Sequence, residues 1–133
     1  MCIFCKIINQ EIPSYRIFED EHTYAFLDIS PMSQGHTLVV PKKHSEHVLE
    51  ADSMTITHCF NTIKRITNHY DDVLNASGYN IISNVNESSG QTVFHTHFHI
   101  IPRFIKKEDL FDSLKVDHIE VDIKTTFESI KMI

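Results

Sequence analysis

The sequence predicts an α+β domain: an antiparallel five-stranded sheet, one short and one long helix, and a C-terminal tail of different character. Three observations predict it. A single long helical period stands out, with Ile56, Cys59, Phe60, Ile63, Ile66 and Tyr70 recurring at spacings of three and four. Short β-rich runs precede and follow that helix instead of alternating with further helices, the order of an antiparallel rather than a parallel sheet. A length of 133 residues with 41% hydrophobic composition supports one core and is too short for two, so residues 1–133 are expected to be one domain.

In chain order, residues 3–10 (IFCKIINQ) read as a short helix stopped before Pro13. Arg16–Asp20 and Thr23–Ile29 follow as two strands of a hairpin that turns at Glu21–His22. Gly35 opens the run HTLVVPKKH, in which Thr37 to Val40 are β-rich and Pro41, lacking an N–H, ends the strand. Asp52 or Ser53 can cap the long helix with a side-chain oxygen. Tyr79–Asn84 is the fourth strand, the polar loop NESSG follows, and Thr92–Arg103 is the fifth; so short a connection makes these two antiparallel. Beyond Arg103 the chain turns charged, with a final helix expected around Lys124–Lys131, so that residues 105–133 form a partly helical tail.

Composition narrows the partners. A formal charge of −6 gives no general attraction for a nucleic-acid backbone, so any phosphate recognition must be local and a small phosphorylated ligand fits better than DNA. No apolar stretch approaches the roughly 20 residues of a membrane span, and MCIFCKI has none of the features of a secretory leader. A soluble, cytoplasmic protein is expected. Three cysteines are no disulfide framework: Cys59 falls on the helical apolar face as core, while Cys2 and Cys5 form C-x-x-C, a metal or redox pair in a reduced compartment. The strand-then-helix order in which a thioredoxin-like pair sits is missing, which favours metal.

The fifth strand carries the chemistry. His95, His97 and His99 alternate with Thr96, Phe98 and Ile100, so on an extended strand the three imidazoles share one face, neighbours roughly 7 Å apart. Imidazole is a nucleophile, proton carrier and metal ligand near neutral pH, which narrows the function to acyl or phosphoryl transfer, acid–base work or metal binding. Gly90-Gln91-Thr92, just ahead, offers uncharged N–H and O–H donors suited to phosphate oxygens, although both side chains could equally serve to close the loop. Zinc held by all three histidines is the rival reading. The acidic ligand that follows H-x-H in a cupin-type site is absent, since Ile100, Ile101, Pro102 and Arg103 come next.

The run from Gly90 to Ile101 (GQTVFHTHFHII) resembles the signature of the histidine triad (HIT) superfamily. CIFCKII, IFEDEHTYAFLDISP, GHTLVVPKKH and HIIPRF stand in that family's order and spacing, so the resemblance covers residues 2–104. The chain is similar to the bacterial-type members that carry C-x-x-C and shares the core of the Hint and Fhit branches. The resemblance implies the HIT fold and a nucleotidyl hydrolase or transferase that cleaves purine nucleotide phosphoramidates or related AMP conjugates through a nucleotidyl-histidine intermediate on His97, with no catalytic metal required. In the family a main-chain carbonyl fixes the nucleophile's tautomer, and His99, Gln91 and Thr92 are the implied contacts to the α-phosphate. Asp28 is the implied partner of the ribose hydroxyls, Phe4, Leu27 and Ile29 of the base, with Ile3, Ile7 and Phe26 as further candidates; Asn84 is a candidate for ribose or phosphate. Cys2, Cys5, His44 and His95 match a structural Zn2+ site, with His47 a competitor for the fourth place. Two alternatives stand beside this reading: a Fhit-like diadenosine polyphosphate hydrolase, which the HIIPR ending resembles, and a non-enzymatic nucleotide-binding module. The family habit of a homodimer formed through the long helix and a strand makes Tyr79–Asn84 the candidate interface strand.

Overall fold

The chain is arranged, in a computed structural model that describes residues 2–105 and 120–132, around one antiparallel sheet. Its strands are β1 (Arg16–Glu19), β2 (Thr23–Leu27), β3 (Thr37–Pro41), β4 (Gly78–Ile82) and β5 (Phe98–Arg103), in spatial order β1-β2-β3-β5-β4. Helix α1 (Ile3–Ile8) precedes β1, α2 (Ser53–Val73) connects β3 to β4, and α3 (Ile123–Ile130) lies in the tail. The expected class and strand count are those observed. His118 and most of the charged segment after Ile105 lie outside the described residues.

Strand alternation splits the core into two layers. Ala25 and Val39 turn one way with Phe98 and Ile100, against Cys59, Ile63, Ile66 and Tyr70 of α2. Tyr24, Phe26, Leu38 and Val40 turn the other way, against Phe4 and Ile7 of α1. Phe60, counted with the helical stripe, is 43% exposed and meets the core only at its flank, edge-on to Phe98. Cys59 is fully buried, and burial pushes its thiol up to about 12. Helix α2 starts at Asp52, whose carboxylate accepts from the Thr55 amide at 2.7 Å. Gly35 has φ +88° and lies so close to the end of α2 that a Cβ there would come within 2.6 Å of Leu74 Cδ1.

One boundary corrects the sequence reading. β5 begins at Phe98, not Thr92, so His95 and His97 precede the strand and only His99 is in it. The reason is local: continuing the β3 ladder would place Pro41 opposite Thr96, and Pro41 has no N–H to give. Thr96 instead donates its N–H to the Ser45 carbonyl at 2.8 Å, and Ser83 Oγ donates to the His97 carbonyl at 2.8 Å where the β4 ladder has ended. The segment that carries two of the three histidines is therefore held by side chains and a neighbouring loop.

Candidate active site

Four hydrogen bonds fix the imidazoles. His97 Nδ1 lies 2.7 Å from the His95 carbonyl, an acceptor only, so Nδ1 carries the proton and Nε2 keeps its lone pair. His95 Nε2 lies 2.8 Å from the Pro41 carbonyl, which by the same argument leaves the Nδ1 lone pair available. The Met32 amide donates to His36 Nδ1 at 3.0 Å, so neutral His36 carries its proton on Nε2 and donates to His99 Nδ1 at 2.9 Å. His99 then presents Nε2–H. Asp28, His36 and His99 come close enough to suggest a metal site, but a lone pair on His36 Nε2 would require an imidazolate, and the hydrogen-bond chain accounts for the contact.

Burial keeps these rings neutral. It lowers the His97 value, against the pull of the His95 carbonyl and Asp28, and it lowers His99 to about 4 with help from His97 and His36. His36 is lowered for the same first reason, with Asp28 acting in the opposite sense. Neutral His97 keeps the Nε2 lone pair that nucleophilic attack would require, and neutral His99 offers an N–H donor in place of an imidazolium.

Both rings open on a cavity of about 320 Å³ between α1 and the sheet. Its walls include Ile3, Phe4, Ile7, Phe26, Leu27 and Ile29, the apolar residues anticipated for the base, with Asp28 and Thr92 as polar groups beside the histidines. Phe4 meets the His97 ring edge-on, with centroids 5.0 Å apart. Sequence reasoning missed Ile12, Pro13, Ser14 and Tyr15, which line the same cavity; the only signal was the proline that ends the first helical segment. Two anticipated contacts fall elsewhere. Gln91 is buried, with its amide donating to the Glu46 and Val93 carbonyls at 2.6 and 3.0 Å and its oxygen accepting from the Asn86 amide at 2.8 Å. It braces the loop and has no N–H left for a phosphate, the loop-closing role of the two that its sequence allowed. Asn84 is half-buried beside Gly90 and is not among the residues lining the cavity.

A second cluster adjoins the first. Cys2 Sγ, Cys5 Sγ, His44 Nδ1 and His95 Nδ1 converge: the sulfurs are 3.1 Å apart, the nitrogens 3.0 Å, and the sulfur–nitrogen separations are 3.3 to 3.7 Å. A tetrahedral zinc with Zn–S of about 2.3 Å and Zn–N of about 2.0 Å demands ligand separations of roughly 3.3–3.8 Å, so this quartet needs only a small expansion to accept the ion. The donor set agrees: two thiols and two imidazoles suit a closed tetrahedral site, and burial holds His95 neutral, lowered to about 4, so its Nδ1 lone pair stays free. The His95–Pro41 bond is the outer contact that orients a metal-bound imidazole. His47 lies outside the quartet, its Nε2 3.5 Å from Glu50.

Residues 9–106 match the HIT domain family. The chain is 48% identical over 105 residues to "Protein hit" of Bacillus subtilis, covering 79% of this chain and 72% of that one. It is 38% identical over 109 residues to the adenosine 5′-monophosphoramidase HNT1 of Saccharomyces cerevisiae, covering 82% and 66%. Among solved structures, a zinc-bound histidine triad family protein from Mycobacterium smegmatis superimposes with a TM-score of 0.77 at 37% identity, covering 80% of this chain and 78% of that one.

Proposed function

The chain belongs to the HIT domain family, and from that premise and the geometry of His97 we propose that it hydrolyses purine nucleotide phosphoramidates or related AMP conjugates through a nucleotidyl-His97 intermediate. The observation that carries the reading is the 2.7 Å bond from His97 Nδ1 to the His95 carbonyl, which reserves Nε2 for attack at the wall of a nucleotide-sized cavity. The base lies among Phe4, Leu27 and Ile29, and Asp28 accepts from the ribose hydroxyls. His97 Nε2 bonds to the α-phosphorus as the P–N or P–O bond to the leaving group breaks, and the departing group takes a proton from solvent, which the attacking water later returns. His99 Nε2–H and the Thr92 hydroxyl donate to the non-bridging oxygens as charge builds on them. Water then cleaves the P–N bond to His97, releases the mononucleotide and restores the neutral ring.

Cys2, Cys5, His44 and His95 would hold zinc, which supplies a structural crosslink there. A reducing, cytoplasmic setting keeps both thiols able to bind it; no helix among the described residues is long and apolar enough to cross a membrane. Among the described residues β4 ends the sheet with one edge unpaired, and its pairing with β4 of a second copy, supported by α2, makes the homodimer. Light scattering behind size exclusion tests this, and a mass near 15.5 kDa refutes the dimer.

The deciding experiment is intact-protein mass after brief exposure to an adenosine phosphoramidate and, separately, to diadenosine polyphosphate. An adenylyl adduct that needs His97, and turnover of the phosphoramidate, support the reading. Preferred turnover of the polyphosphate moves it to the Fhit-like branch. Folded, AMP-binding protein with neither adduct nor turnover is a binding module.

A further inference from the structure

We propose that Cys2 and Cys5 are positioning residues for the nucleotide pocket as well as metal ligands: the ion they hold pins α1, so that the pocket wall formed by Ile3, Phe4 and Ile7 is assembled only in the metal-bound protein. This rests on the reading of the cavity as a nucleotide pocket. The two residues between the cysteines, Ile3 and Phe4, both line that cavity, and Ile7 follows one helical turn after Ile3. α1 has six residues, well below the roughly 12 at which an isolated helix becomes even marginal in water, so its form depends on what it is tied to.

Two kinds of tie hold it among the described residues. Phe4 and Ile7 enter the second core layer with Ile8 packed beside them and Phe4 edge-on to Phe26, and the Cys2 sulfur caps the helix by accepting from the Cys5 amide at 3.2 Å. The quartet is the other tie, and thiols and imidazoles without a cation make only weak contacts. On its far side the same quartet reaches the nucleophile. His95 offers Nδ1 to the metal position, and its carbonyl accepts from His97 Nδ1, while Phe4 rests edge-on against the His97 ring. One ion therefore joins the movable wall to the histidine that faces it. Loss of the ion opens α1 locally and leaves β2, β3 and α2 folded, because the layer in which Ala25 of β2 and Val39 of β3 pack against α2 contains none of the ligands.

The test compares zinc-loaded and chelator-stripped protein by hydrogen exchange read by mass spectrometry and by calorimetric titration with AMP. Stripping is expected to remove protection from residues 2–12 while the peptides of β2, β3 and α2 keep theirs. AMP affinity is expected to fall about tenfold or more, as when the competent conformer drops to about a tenth of the population. Added zinc restores both, and Cys5→Ser repeats both losses without chelator. Unchanged exchange in residues 2–12 overturns the proposal, as does unchanged AMP affinity in protein whose α1 has opened. Global unfolding on stripping also overturns it, since the ion is then a staple of the whole domain. Zinc-loaded protein that binds no AMP refutes the nucleotide reading instead, and the exchange of residues 2–12 still decides whether the metal holds the wall.

Discussion

Gln91 and Thr92 are neighbours in sequence, and the fold gives them opposite surroundings. Gln91 is 2% exposed and makes three hydrogen bonds to main-chain groups, whereas Thr92 is exposed at the cavity rim beside His97 and His99. Truncating a buried amide leaves its partners unsatisfied, so Gln91→Ala is expected to lower stability by about 1–3 kcal/mol, read from urea unfolding. Turnover falls with it because the loop that places Thr92 and His95 loosens. Thr92→Val removes one hydroxyl with little change of shape, so its unfolding curve stays within about 0.5 kcal/mol of wild type. Its kcat falls about tenfold to a hundredfold if the hydroxyl steadies charge developing on the phosphate. The reverse pattern, a stable Gln91→Ala with lost turnover and a fully active Thr92→Val, would return the phosphate contact to Gln91. The sequence carried both roles for this pair, and only the positions of Glu46, Asn86 and Val93 decide between them.

At the level of elements, the sequence patterns located every α-helix and strand among the described residues, passed over the single 3-10 turn at Glu87–Ser89 inside the polar loop, and misplaced some ends, most of all in β5. Alternation of His95, Thr96, His97 and Phe98 is satisfied by extended backbone whether or not a ladder holds it, so the pattern could not reveal that pairing stops at Phe98. Pro41 was the available signal, since the strand facing it must lose a hydrogen bond there. The turn before β3 carries a constraint that the sequence marks only by the glycine that opens the run. Gly35 has φ +88°, and a Cβ would meet Leu74 Cδ1 at 2.6 Å and Pro102 Cγ at 3.3 Å. Leu74 can swing aside, but the left-handed backbone remains unfavourable, so Gly35→Ala is expected to cost about 1–3 kcal/mol. Gly78 is the control: none of the described residues lies within 4 Å of its Cβ position, and Gly78→Ala should stay within about 0.5 kcal/mol of wild type. Thermal unfolding of the two variants side by side checks the contrast, and equal melting temperatures would mean that the turn before His36 relaxes without penalty.

Across the whole molecule, the site is assembled from contacts that sequence order hides. Cys2 meets His95 across 93 positions and His36 meets His99 across 63, so the joining of Cys2, Cys5, His44 and His95 was legible only through a family resemblance. His36, at the start of the β3 run, carries no sequence signal that it reaches His99. His22 and His58, which had no sequence neighbours to suggest a role, stack with centroids 3.7 Å apart at the surface. The folded interior holds imidazoles that resist protonation, and this gives the stability of the domain a pH dependence of definite sign. His99 titrates near 4 in the fold because burial opposes its charge, against an ordinary value near 6.5 in the unfolded chain. Above about pH 6.5 both states are neutral at this position and the residue contributes no slope. Between about 6.5 and 4 the unfolded chain binds the proton first, so stability falls as pH falls; below about 4 both states are protonated and the slope ends. His36, lowered in the same direction, adds to the effect. Metal release also follows acid, so the measurement must be a difference between two zinc-loaded proteins. Urea midpoints of wild type and His99→Asn, taken from pH 7.5 down to 4.5, are expected to show wild type losing stability relative to the variant over that interval. Parallel curves would mean that His99 takes up its proton in the fold as readily as in water, and that the neutral N–H donor assigned to it is wrong.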